Sequence, residues 1–444
     1  MKPSKYNFIF EDNGEILAYN ALSGGFAIIE PEVKDALMSE NNLKQFKNKK
    51  ENKKIYEELK KGKFIVDFDE LKYIEFIYNS LKFEKKGLGL TIAPTMSCNF
   101  ACEYCYESRN KVFMDKEVKK SIVNFVKQYI DEIKYLSVSW YGGEPLLDLK
   151  TIKELSKEFI NLCENNDIKY NASIVTNGYL LNAKIAKVLK KLRIKTVQIT
   201  IDGPKDIHDR RRPLINGKGS FDTIINNIKE VKDYFEHISI RINIDKTNED
   251  KITELLKYLK SEGLTEKNCR PYLAFVDVST EVCKDIEINC IDIKNRSKYM
   301  VEKAKEAYEE GINIIKYPTP MYSQCGAVKP NSFVIDPEGY MYKCWHEVGI
   351  KALAIGNIKG NEKNKNFDRY LKWNTFNPLN YKECKNCKFL PLCMGGCPDK
   401  TLFKYGGINE ESCTMYKYNL EEMLKMHLKA KLKNGFLPIP IMDS

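Results

Sequence analysis

The sequence lacks the long apolar segments that mark membrane-spanning and secreted proteins. It has no run of about 18 apolar residues, so no transmembrane helix is predicted. The first 15 residues carry charges and an Asn13-Gly14 turn where a secretory signal would have an apolar stretch. We therefore expect a cytoplasmic protein with no membrane partner.

Extremes of composition are also missing. With 43% hydrophobic and 30% charged residues, the 444-residue chain is neither disordered nor fibrous nor a small disulfide scaffold, and its length predicts two or three domains. The net charge of +11 arises from lysines that are spread along nearly every helical segment and alternate with acidic residues. Because this is the pattern of solvated helix faces, we expect no nucleic-acid partner.

Cysteine, by contrast, is abundant and clustered. Fourteen cysteines without an export signal favour metal ligation or redox chemistry over disulfides, because cytosolic thiols are kept reduced. Soft thiolate groups select zinc or iron–sulfur clusters. One group consists of Cys98, Cys102 and Cys105, and the other of Cys325, Cys344, Cys384, Cys387, Cys393, Cys397 and Cys413.

The spacing of the first cysteine group favours an iron–sulfur cluster over zinc. Three cysteines lie within eight residues, with no fourth cysteine or histidine nearby in sequence. A tetrahedral zinc would lack one ligand, whereas a four-iron cluster with one iron free for another ligand fits three thiolates. For the C-terminal group, structural zinc stays open as the alternative.

From residue 88 onward, short β-rich runs alternate with amphipathic helical stretches. Six such repeats predict an α/β fold, either an open doubly wound sheet or a partial barrel with helices outside. Active sites of such folds lie at the carboxyl ends of the strands, and Cys98 to Cys105 follow the first one. The predicted strands are 88–93, 136–140, 172–176, 196–201, 238–244 and 270–275.

Polar turn motifs follow the next three strands at the same edge. A pair of glycines lets a backbone approach a ligand closely, and an adjacent carboxylate can bind an ammonium group. Each motif alone is typical of an ordinary turn, but several at one edge favour a binding site. The motifs are Gly142-Gly143-Glu144-Pro145, Thr176-Asn177-Gly178 and Thr200-Ile201-Asp202-Gly203-Pro204.

Taken together, these motifs resemble the radical S-adenosylmethionine (SAM) superfamily over residues 88 to about 280. The resemblance implies a partial (β/α)6 TIM-type barrel. It also implies a [4Fe-4S] cluster on Cys98, Cys102 and Cys105 whose fourth iron chelates SAM. Reductive cleavage of SAM would yield methionine and a 5'-deoxyadenosyl radical that abstracts hydrogen from a substrate.

The resemblance further implies where SAM binds. Tyr104 is expected near adenine, and the loop from Gly142 to Pro145 at the methionyl ammonium. An arginine of the 210–212 run, Arg212, is expected to hold the SAM carboxylate, with Arg210 and Arg211 exposed to solvent or facing the substrate. The remaining residues expected to face the cofactor are Gly143, Glu144, Thr176, Asn177, Thr200 and Asp202.

The C-terminal cysteines closely resemble the SPASM extension, which holds two auxiliary [4Fe-4S] clusters. The resemblance implies one cluster on Cys384, Cys387, Cys393 and Cys413, the other on Cys325, Cys344 and Cys397, and thus three clusters per chain. Because residues 326–343 contain no cysteine, the three-cysteine cluster is expected to leave one iron open. An open iron could bind and orient a substrate thiolate.

Three domains are expected, at 1–85, 86–315 and 316–444. The first combines strands near 6–10, 15–19 and 26–29 with helical patterns near 31–39, 50–61 and 69–82. Its layout resembles the winged-helix-like α+β domain with which peptide-modifying SPASM enzymes grip a leader, which could add as an extra strand. The alternative is a domain that only caps the barrel. The third domain is the iron–sulfur SPASM domain with a C-terminal helix.

These features predict a radical SAM/SPASM maturase that links a cysteine sulfur to a carbon of a ribosomally made precursor peptide, forming a thioether. The expected partners are a leader-bearing, cysteine-containing precursor and a low-potential electron donor such as flavodoxin or ferredoxin. One alternative is an anaerobic sulfatase maturase that oxidises Cys or Ser to formylglycine. The other is a noncatalytic zinc or iron–sulfur scaffold or electron carrier.

The other cysteines and two histidines receive plainer interpretations. Cys163, Cys269, Cys283 and Cys290 fall outside both groups and are expected to be buried or inert thiols. His208 is expected to be a structural, hydrogen-bonded histidine. His346 follows Cys344 and is interpreted as orienting a cluster thiolate or lying at the substrate.

Overall fold

The computed structural model describes residues 1–107, 110–266, 268–278, 280–322, 325–360 and 366–433. Its N-terminal region has a three-stranded antiparallel sheet in the order β2-β3-β4, and β1 pairs with β5 in a separate two-stranded sheet. The strands are β1 Lys2–Pro3, β2 Asn7–Asp12, β3 Glu15–Asn20, β4 Gly25–Ile29 and β5 Ile65–Val66. The helices are α1 Pro31–Ala36, α2 Glu40–Asn48, α3 Lys53–Lys61 and α4 Glu70–Lys82.

Helix α2 lies between the helical patterns predicted near 31–39 and 50–61, and its second half belongs to the lysine-rich run interpreted as a solvated helix face. Its sequence is polar on most sides and buries only Leu43 and Phe46. Such a short apolar stripe gives a weak helical period in sequence. The Ser39 side chain accepts a hydrogen bond from the Asn42 amide and so caps the first turn.

The central region contains the parallel sheet that the sequence predicts. Strands β6 to β11 lie side by side in chain order, and each pairs in parallel with the next. An α/β fold with a mostly parallel sheet is thereby confirmed. The strands are β6 Gly87–Ile92, β7 Tyr135–Trp140, β8 Lys169–Thr176, β9 Ile194–Thr200, β10 His237–Ile244 and β11 Cys269–Phe275. The helices are α5 Lys116–Lys127, α6 Leu149–Asn165, α7 Ala183–Lys191, α8 Lys205–Arg211, α9 Phe221–Val231, α10 Ile252–Ser261 and α11 Ile293–Glu309.

The two faces of this sheet differ in chemistry. On β10, Ile238, Ile240 and Ile242 are fully buried in the main core, together with apolar residues of the surrounding helices. Ser239 and Arg241 alternate with them and are only partly buried. The sheet therefore has an apolar face against the helices and a polar opposite face.

The C-terminal region continues the same sheet. Strand β12 pairs in parallel with β6, and β13 and β14 add in antiparallel fashion, giving nine strands. The region therefore shares backbone hydrogen bonds with the central sheet. Its elements are β12 Ser332–Ile335, β13 Tyr340–Tyr342, β14 Gly356–Asn357, α12 Phe367–Thr375, α13 Lys382–Lys385, α14 Leu390–Cys393 and α15 Tyr416–Lys433.

The N-terminal sheet packs mainly on the C-terminal region. Phe8 contacts Phe389, with ring centroids 5.0 Å apart, and the Tyr19 hydroxyl donates a hydrogen bond to the Pro318 carbonyl at 2.7 Å. One buried core joins β2, β3 and α4 to α14 and α15 and includes Cys384. Within the described ranges, none of the helices combines the length and the apolar character of a membrane span.

Candidate active site

Loops from the carboxyl ends of three neighbouring strands meet through backbone and side-chain hydrogen bonds. The Glu144 amide after β7 donates to the Ser97 carbonyl after β6 at 2.8 Å. The Asn177 side chain after β8 donates to the Asn99 side-chain oxygen at 2.8 Å. The predicted motifs are therefore brought together at one edge of the sheet.

Cys98, Cys102 and Cys105 lie in the loop after β6, and all three are partly buried. Burial raises the pKa of the Cys98 thiol to about 12, and the charges of Cys102 and Cys105 act on it in the same direction. The raised pKa disfavours the free thiolate of Cys98, whereas metal ligation would deprotonate it. Three thiols in one loop are a donor set for a thiolate-bound metal centre.

The two glycines after β7 allow their loop to sit directly on the cysteine loop. Gly142 has a φ of +117°, and a Cβ added there would lie 2.4 Å from the Thr95 carbonyl oxygen. A Cβ on Gly143 would lie 2.5 Å from the carbonyl oxygens of Met96 and Ser97. Side chains at these positions would push the two loops apart.

Glu144 is completely buried between these loops. One carboxylate oxygen accepts hydrogen bonds from the Leu146 amide at 3.0 Å and the Thr176 hydroxyl at 2.7 Å. The other accepts from the Asn177 amide at 2.7 Å. Burial raises the pKa of Glu144, and these donors oppose that rise. Glu144 thus braces the loop after β7 against the loop after β8.

A second polar network surrounds Tyr104. Its hydroxyl donates to Asp202 and accepts hydrogen bonds from Arg212 Nη1 at 2.5 Å and from Asn243 Nδ2 at 3.1 Å. Burial raises the pKa of Tyr104 well above its usual value. Thr200, at the end of β9, is buried. Sequence reasoning missed Asn243; a polar residue near the end of a parallel strand was the available signal.

The C-terminal cysteines form two electrostatic groups. Burial raises the pKa of Cys384 to about 12, and the charges of Cys393, Cys387 and Cys413 add to the rise. Burial also raises the pKa of Cys344, with the charges of Asp399 and Cys325 adding to the rise, and it raises the pKa of Cys325, with the charge of Cys397 adding to that rise. The resemblance implies that these cysteines hold two clusters, and we call the two sets the far site (384, 387, 393, 413) and the near site (325, 344, 397).

Non-cysteine donors also lie at the near site. His346 Nδ1 is 3.1 Å from a carboxylate oxygen of Asp399. The Cys344 sulfur, a His346 ring nitrogen and an Asp399 oxygen all lie within 4.8 Å of one another. Sequence reasoning singled out His346 but missed Asp399, whose only signal is its place two residues after Cys397.

An aromatic contact, here called the aromatic bridge (106, 141, 345 and 346), joins the two ends of the site. The Tyr106 ring meets the His346 ring edge-on with centroids 5.2 Å apart, and Tyr141 stacks on Trp345 at 5.2 Å. The Tyr106 and Tyr141 hydroxyls hydrogen-bond to each other. The loop after Cys105 is thereby connected to the loop after Cys344.

Residues 92–259 match the Radical SAM superfamily. The chain carries a radical SAM domain. This confirms the resemblance inferred from the cysteine, Gly-Gly-Glu-Pro and Asp-Gly-Pro motifs. The match runs from Ile92, the last residue of β6, through most of α10, so it contains the loops around Cys98 to Cys105 and the Tyr104 network.

Proteins similar to this chain include a cyclopropyl synthase and a sulfatase-maturating enzyme, and its fold is similar to that of a solved structure with a bound precursor peptide. The radical SAM cyclopropyl synthase TigE of Paramaledivibacter caminithermalis is 23% identical over 95% of both chains. A cysteine-type anaerobic sulfatase-maturating enzyme of Clostridium novyi is 28% identical over 70% of this chain and 88% of its own. The structure of Streptococcus suis SuiB bound to precursor peptide SuiA has a TM-score of 0.55 at 17% identity, covering 93% of this chain and 99% of that one.

The residues at the radical SAM site fit a cluster and SAM. Three neighbouring thiols are the donor set of a four-iron cluster with one iron left for another ligand. Arg212 Nε and the Ser97 hydroxyl are buried without a hydrogen-bond partner among the described residues. A carboxylate and an ammonium group, both present in SAM, would satisfy this donor and this hydroxyl.

One expectation for the radical SAM site is wrong. Arg211 is neither exposed nor facing a substrate, because it is 3% exposed and pairs with both Asp245 oxygens at 2.8 and 2.9 Å. A buried guanidinium requires such a partner. Arg210 is exposed, as expected.

The structure agrees with the interpretations of His208 and of the four cysteines outside the two groups. His208 Nδ1 accepts a hydrogen bond from the Asp202 amide at 3.2 Å, Nε2 contacts the Ser220 hydroxyl at 3.1 Å, and burial lowers the pKa of His208 well below 6.5. The four cysteines outside the two groups are buried or partly buried: Cys163, Cys269, Cys283 and Cys290.

Proposed function

We propose that this chain is a radical SAM/SPASM maturase that modifies a ribosomally made precursor peptide. The aromatic bridge is the observation that carries the proposal, because it connects the radical SAM loop directly to the near site. A peptide held beside this bridge would lie within reach of both centres. The six parallel strands would then form the partial (β/α)6 barrel of domain 86–315, with the leader-recognition domain at 1–85 and the SPASM domain at 316–444.

The cysteine groups define the cofactors of the proposed enzyme. Cys98, Cys102 and Cys105 would hold the SAM-binding [4Fe-4S] cluster, and the near and far sites would hold two auxiliary clusters. When bound, the first cluster and SAM would supply the reducing electron and the 5'-deoxyadenosyl radical, which takes one hydrogen atom from a peptide carbon. An auxiliary cluster would accept the electron that is released as a carbon–sulfur bond forms. Arg212 would bind the SAM carboxylate, and Glu144 would hold the ammonium-binding loop in place.

The near site is proposed to receive the substrate thiol. It has three cysteines, and no cysteine lies between residues 326 and 343. His346 and Asp399 are close to Cys344 and would compete with a substrate thiolate for the same position. Electron paramagnetic resonance spectra with and without a cysteine peptide would distinguish ligation by His346 or Asp399 from ligation by the substrate, because a new thiolate ligand changes the signal.

Thioether formation is the preferred reaction. The peptide loses two hydrogen atoms, one to 5'-deoxyadenosine and one as a thiol proton with its electron, and it keeps its sulfur. A second candidate, carbon–carbon closure of a cyclopropane ring, is favoured by the 95% mutual coverage with a relative named as a cyclopropyl synthase. Formylglycine formation is less favoured, because the sulfatase-maturating relative covers 70% of this chain.

One experiment distinguishes these reactions. The anaerobically reconstituted protein is incubated with SAM, dithionite and the peptide encoded by a neighbouring short, cysteine-containing reading frame. We expect the peptide mass to fall by two hydrogen atoms and one thiol to resist alkylation. The same mass loss with every thiol still alkylated would establish the cyclopropane reaction instead, and replacement of sulfur by oxygen would indicate formylglycine.

The N-terminal sheet is proposed to bind the leader as an added strand. Among the described residues, β2 and β4 each pair with β3 alone, so both outer edges have free backbone groups. The packing of this sheet on the C-terminal region argues against a domain that only caps the barrel. A leader bound here would approach the far site.

The electron donor is proposed to dock at the far site. Lys382, Lys385 and Lys388 are exposed around Cys384 and Cys387, and Lys5 contacts the Lys385 carbonyl at 3.2 Å. This basic surface suits a low-potential donor, such as a flavodoxin or ferredoxin, that presents an acidic face. A donor bound there would be next to thiolate ligands rather than to the peptide.

A further inference from the structure

The polar face of the parallel sheet carries an arginine that has no acidic partner among the described residues. Arg241 lies on β10, opposite the buried isoleucines, and is partly buried. Its Nε donates to the Asn243 side-chain oxygen at 2.7 Å, and its Nη1 is 3.4 Å from the Tyr272 hydroxyl. In the described part of the chain, no carboxylate lies within 4.0 Å of its guanidinium, and Nη2 makes no hydrogen bond.

The contrast with the neighbouring arginine is informative. Arg211 pairs with two oxygens of Asp245 and lies 3.7 Å from Asp202. Taking a guanidinium partly out of water without a counter-charge is unfavourable, unless a ligand supplies that charge. Among the described residues, Arg241 has no such counter-charge, so the carboxylate of a ligand would stabilise it.

The surroundings of Arg241 hold it in a defined orientation. The Tyr272 hydroxyl, which Arg241 contacts, donates to the Gln198 side-chain oxygen at 2.8 Å. Tyr272 is the direct parallel-strand neighbour of Arg241. A guanidinium fixed on a strand presents its fork as a preorganised site for a planar carboxylate.

Arg241 lies next to the radical SAM loop, because Asn243, to which it donates, also donates to the Tyr104 hydroxyl. Burial raises the pKa of Tyr141, with Cys105 and Cys344 adding to the rise and Arg241 opposing it. The charge of Arg241 thus acts at Tyr141, which belongs to the aromatic bridge. Arg212, by contrast, acts next to Cys102 and Tyr104. Arg241 touches the Tyr104 network through Asn243, so the test below separates a substrate role from a SAM role by measuring SAM affinity.

We propose that Arg241 binds a carboxylate of the peptide substrate beside the residue that is modified, supported by Tyr272 and Gln198. The inference rests on the proposed function and adds a substrate class: a core peptide with an Asp, a Glu or a free C-terminus near the reacting side chain. Tyr272 and Gln198 are positioning residues that act through Arg241.

The probes for the test are two capped, fluorescein-labelled octapeptide pools with one fixed cysteine. One pool contains Asp and Glu among its randomised residues, and the matched pool contains Asn and Gln instead. The protein is reconstituted anaerobically with SAM, and apparent Kd values are measured by fluorescence anisotropy. The variants are Arg241→Gln, Arg241→Lys and, as a matched control, Arg270→Gln, an exposed arginine on β11.

We expect the wild type and Arg270→Gln to bind the acidic pool about tenfold more tightly than the amide pool, as one charge-assisted hydrogen-bonded pair allows. Arg241→Gln should lose this preference, and Arg241→Lys should keep part of it. SAM affinity should be equal in all four proteins, and iron content reports correct folding of each variant.

Two results would overturn the proposal. One is a wild type that binds the acidic pool no more tightly than the amide pool, or an acidic preference that Arg241→Gln retains. The other is a loss of SAM affinity in Arg241→Gln, which would assign this arginine to the SAM carboxylate. A wild type that cleaves SAM but shows no acidic preference refutes this inference alone, whereas failure to cleave SAM refutes the proposed function.

Discussion

At the residue scale, the site is built from buried charges that neutralise or brace one another. Asp202 accepts from the Tyr104 hydroxyl and the Asn243 amide, and Arg212 donates to the same hydroxyl. Because each group restricts the next, the loops are held in place before a ligand binds. Single substitutions here should therefore affect SAM binding as well as stability.

Glu144 provides the clearest test of such bracing. In Glu144→Gln, the amide nitrogen would face protein donors, so we expect a loss of about 1–3 kcal/mol in stability and weaker SAM binding. The measurements are the thermal midpoint and the SAM affinity of the reconstituted protein. Glu158→Gln, an exposed position on α6, is the control and should match the wild type. An unchanged Glu144→Gln would contradict the bracing role.

His208 should make stability dependent on pH. Its pKa in the folded protein is well below 6.5, whereas in the unfolded chain it is near 6.5. The unfolded state therefore binds the extra proton, and stability falls as pH drops below about 6.5, by at most about 1.4 kcal/mol per pH unit. His208→Asn should reduce this slope in anaerobic unfolding between pH 7.5 and 5.5.

The matched control for His208 is His237→Asn, at the partly exposed start of β10. It should keep the slope of the wild type. If His208→Asn showed the same slope as His237→Asn, the buried, neutral state assigned to His208 would be wrong.

At the element scale, loop contact depends on two glycines. A Cβ at Gly143 would overlap two carbonyl oxygens of the cysteine loop, so Gly143→Ala should displace that loop and reduce SAM affinity at least tenfold. Isothermal titration of the reconstituted protein with SAM measures the effect. Gly407→Ala is the control, since a Cβ there meets no atom within 4 Å. Equal affinities for the two variants would argue against the loop arrangement.

The sequence predicted most elements because their patterns are local. Strict alternation, as in Ile238, Ile240 and Ile242, identified the strands, and spacing identified the cysteine groups. The buried pairing of Arg211 was missed because its partner Asp245 comes 34 residues later in the chain. The contacts of the aromatic bridge join distant loops for the same reason, and no local pattern announces them.

At the scale of the whole molecule, the central and C-terminal regions share one sheet, and the N-terminal sheet packs beside the far site. Strand β12 extends the parallel sheet from β6, and Cys384 lies in the core that the N-terminal sheet shares with α14 and α15. Leader binding and electron delivery are thereby proposed to occur next to each other. The peptide chemistry is proposed to take place at the aromatic bridge.

The basic surface around the far site yields a prediction at this scale. Replacing Lys385 and Lys388 by glutamate should slow turnover supported by a flavodoxin several-fold, because like charges repel the donor, and the wild-type rate should fall with added salt. The pair Lys53→Glu and Lys54→Glu on α3 gives the same charge change at an exposed site elsewhere. Equal rates for both double variants would exclude docking at the far site.

The most direct measurement of the whole account is 5'-deoxyadenosine formation from SAM by the anaerobically reconstituted protein under dithionite. We expect product from the wild type, which should hold about twelve irons in three clusters. Replacing Cys98, Cys102 and Cys105 together by alanine should abolish it while about eight irons remain. A wild type that binds zinc and forms no 5'-deoxyadenosine, or a triple variant that still forms it, would contradict the account.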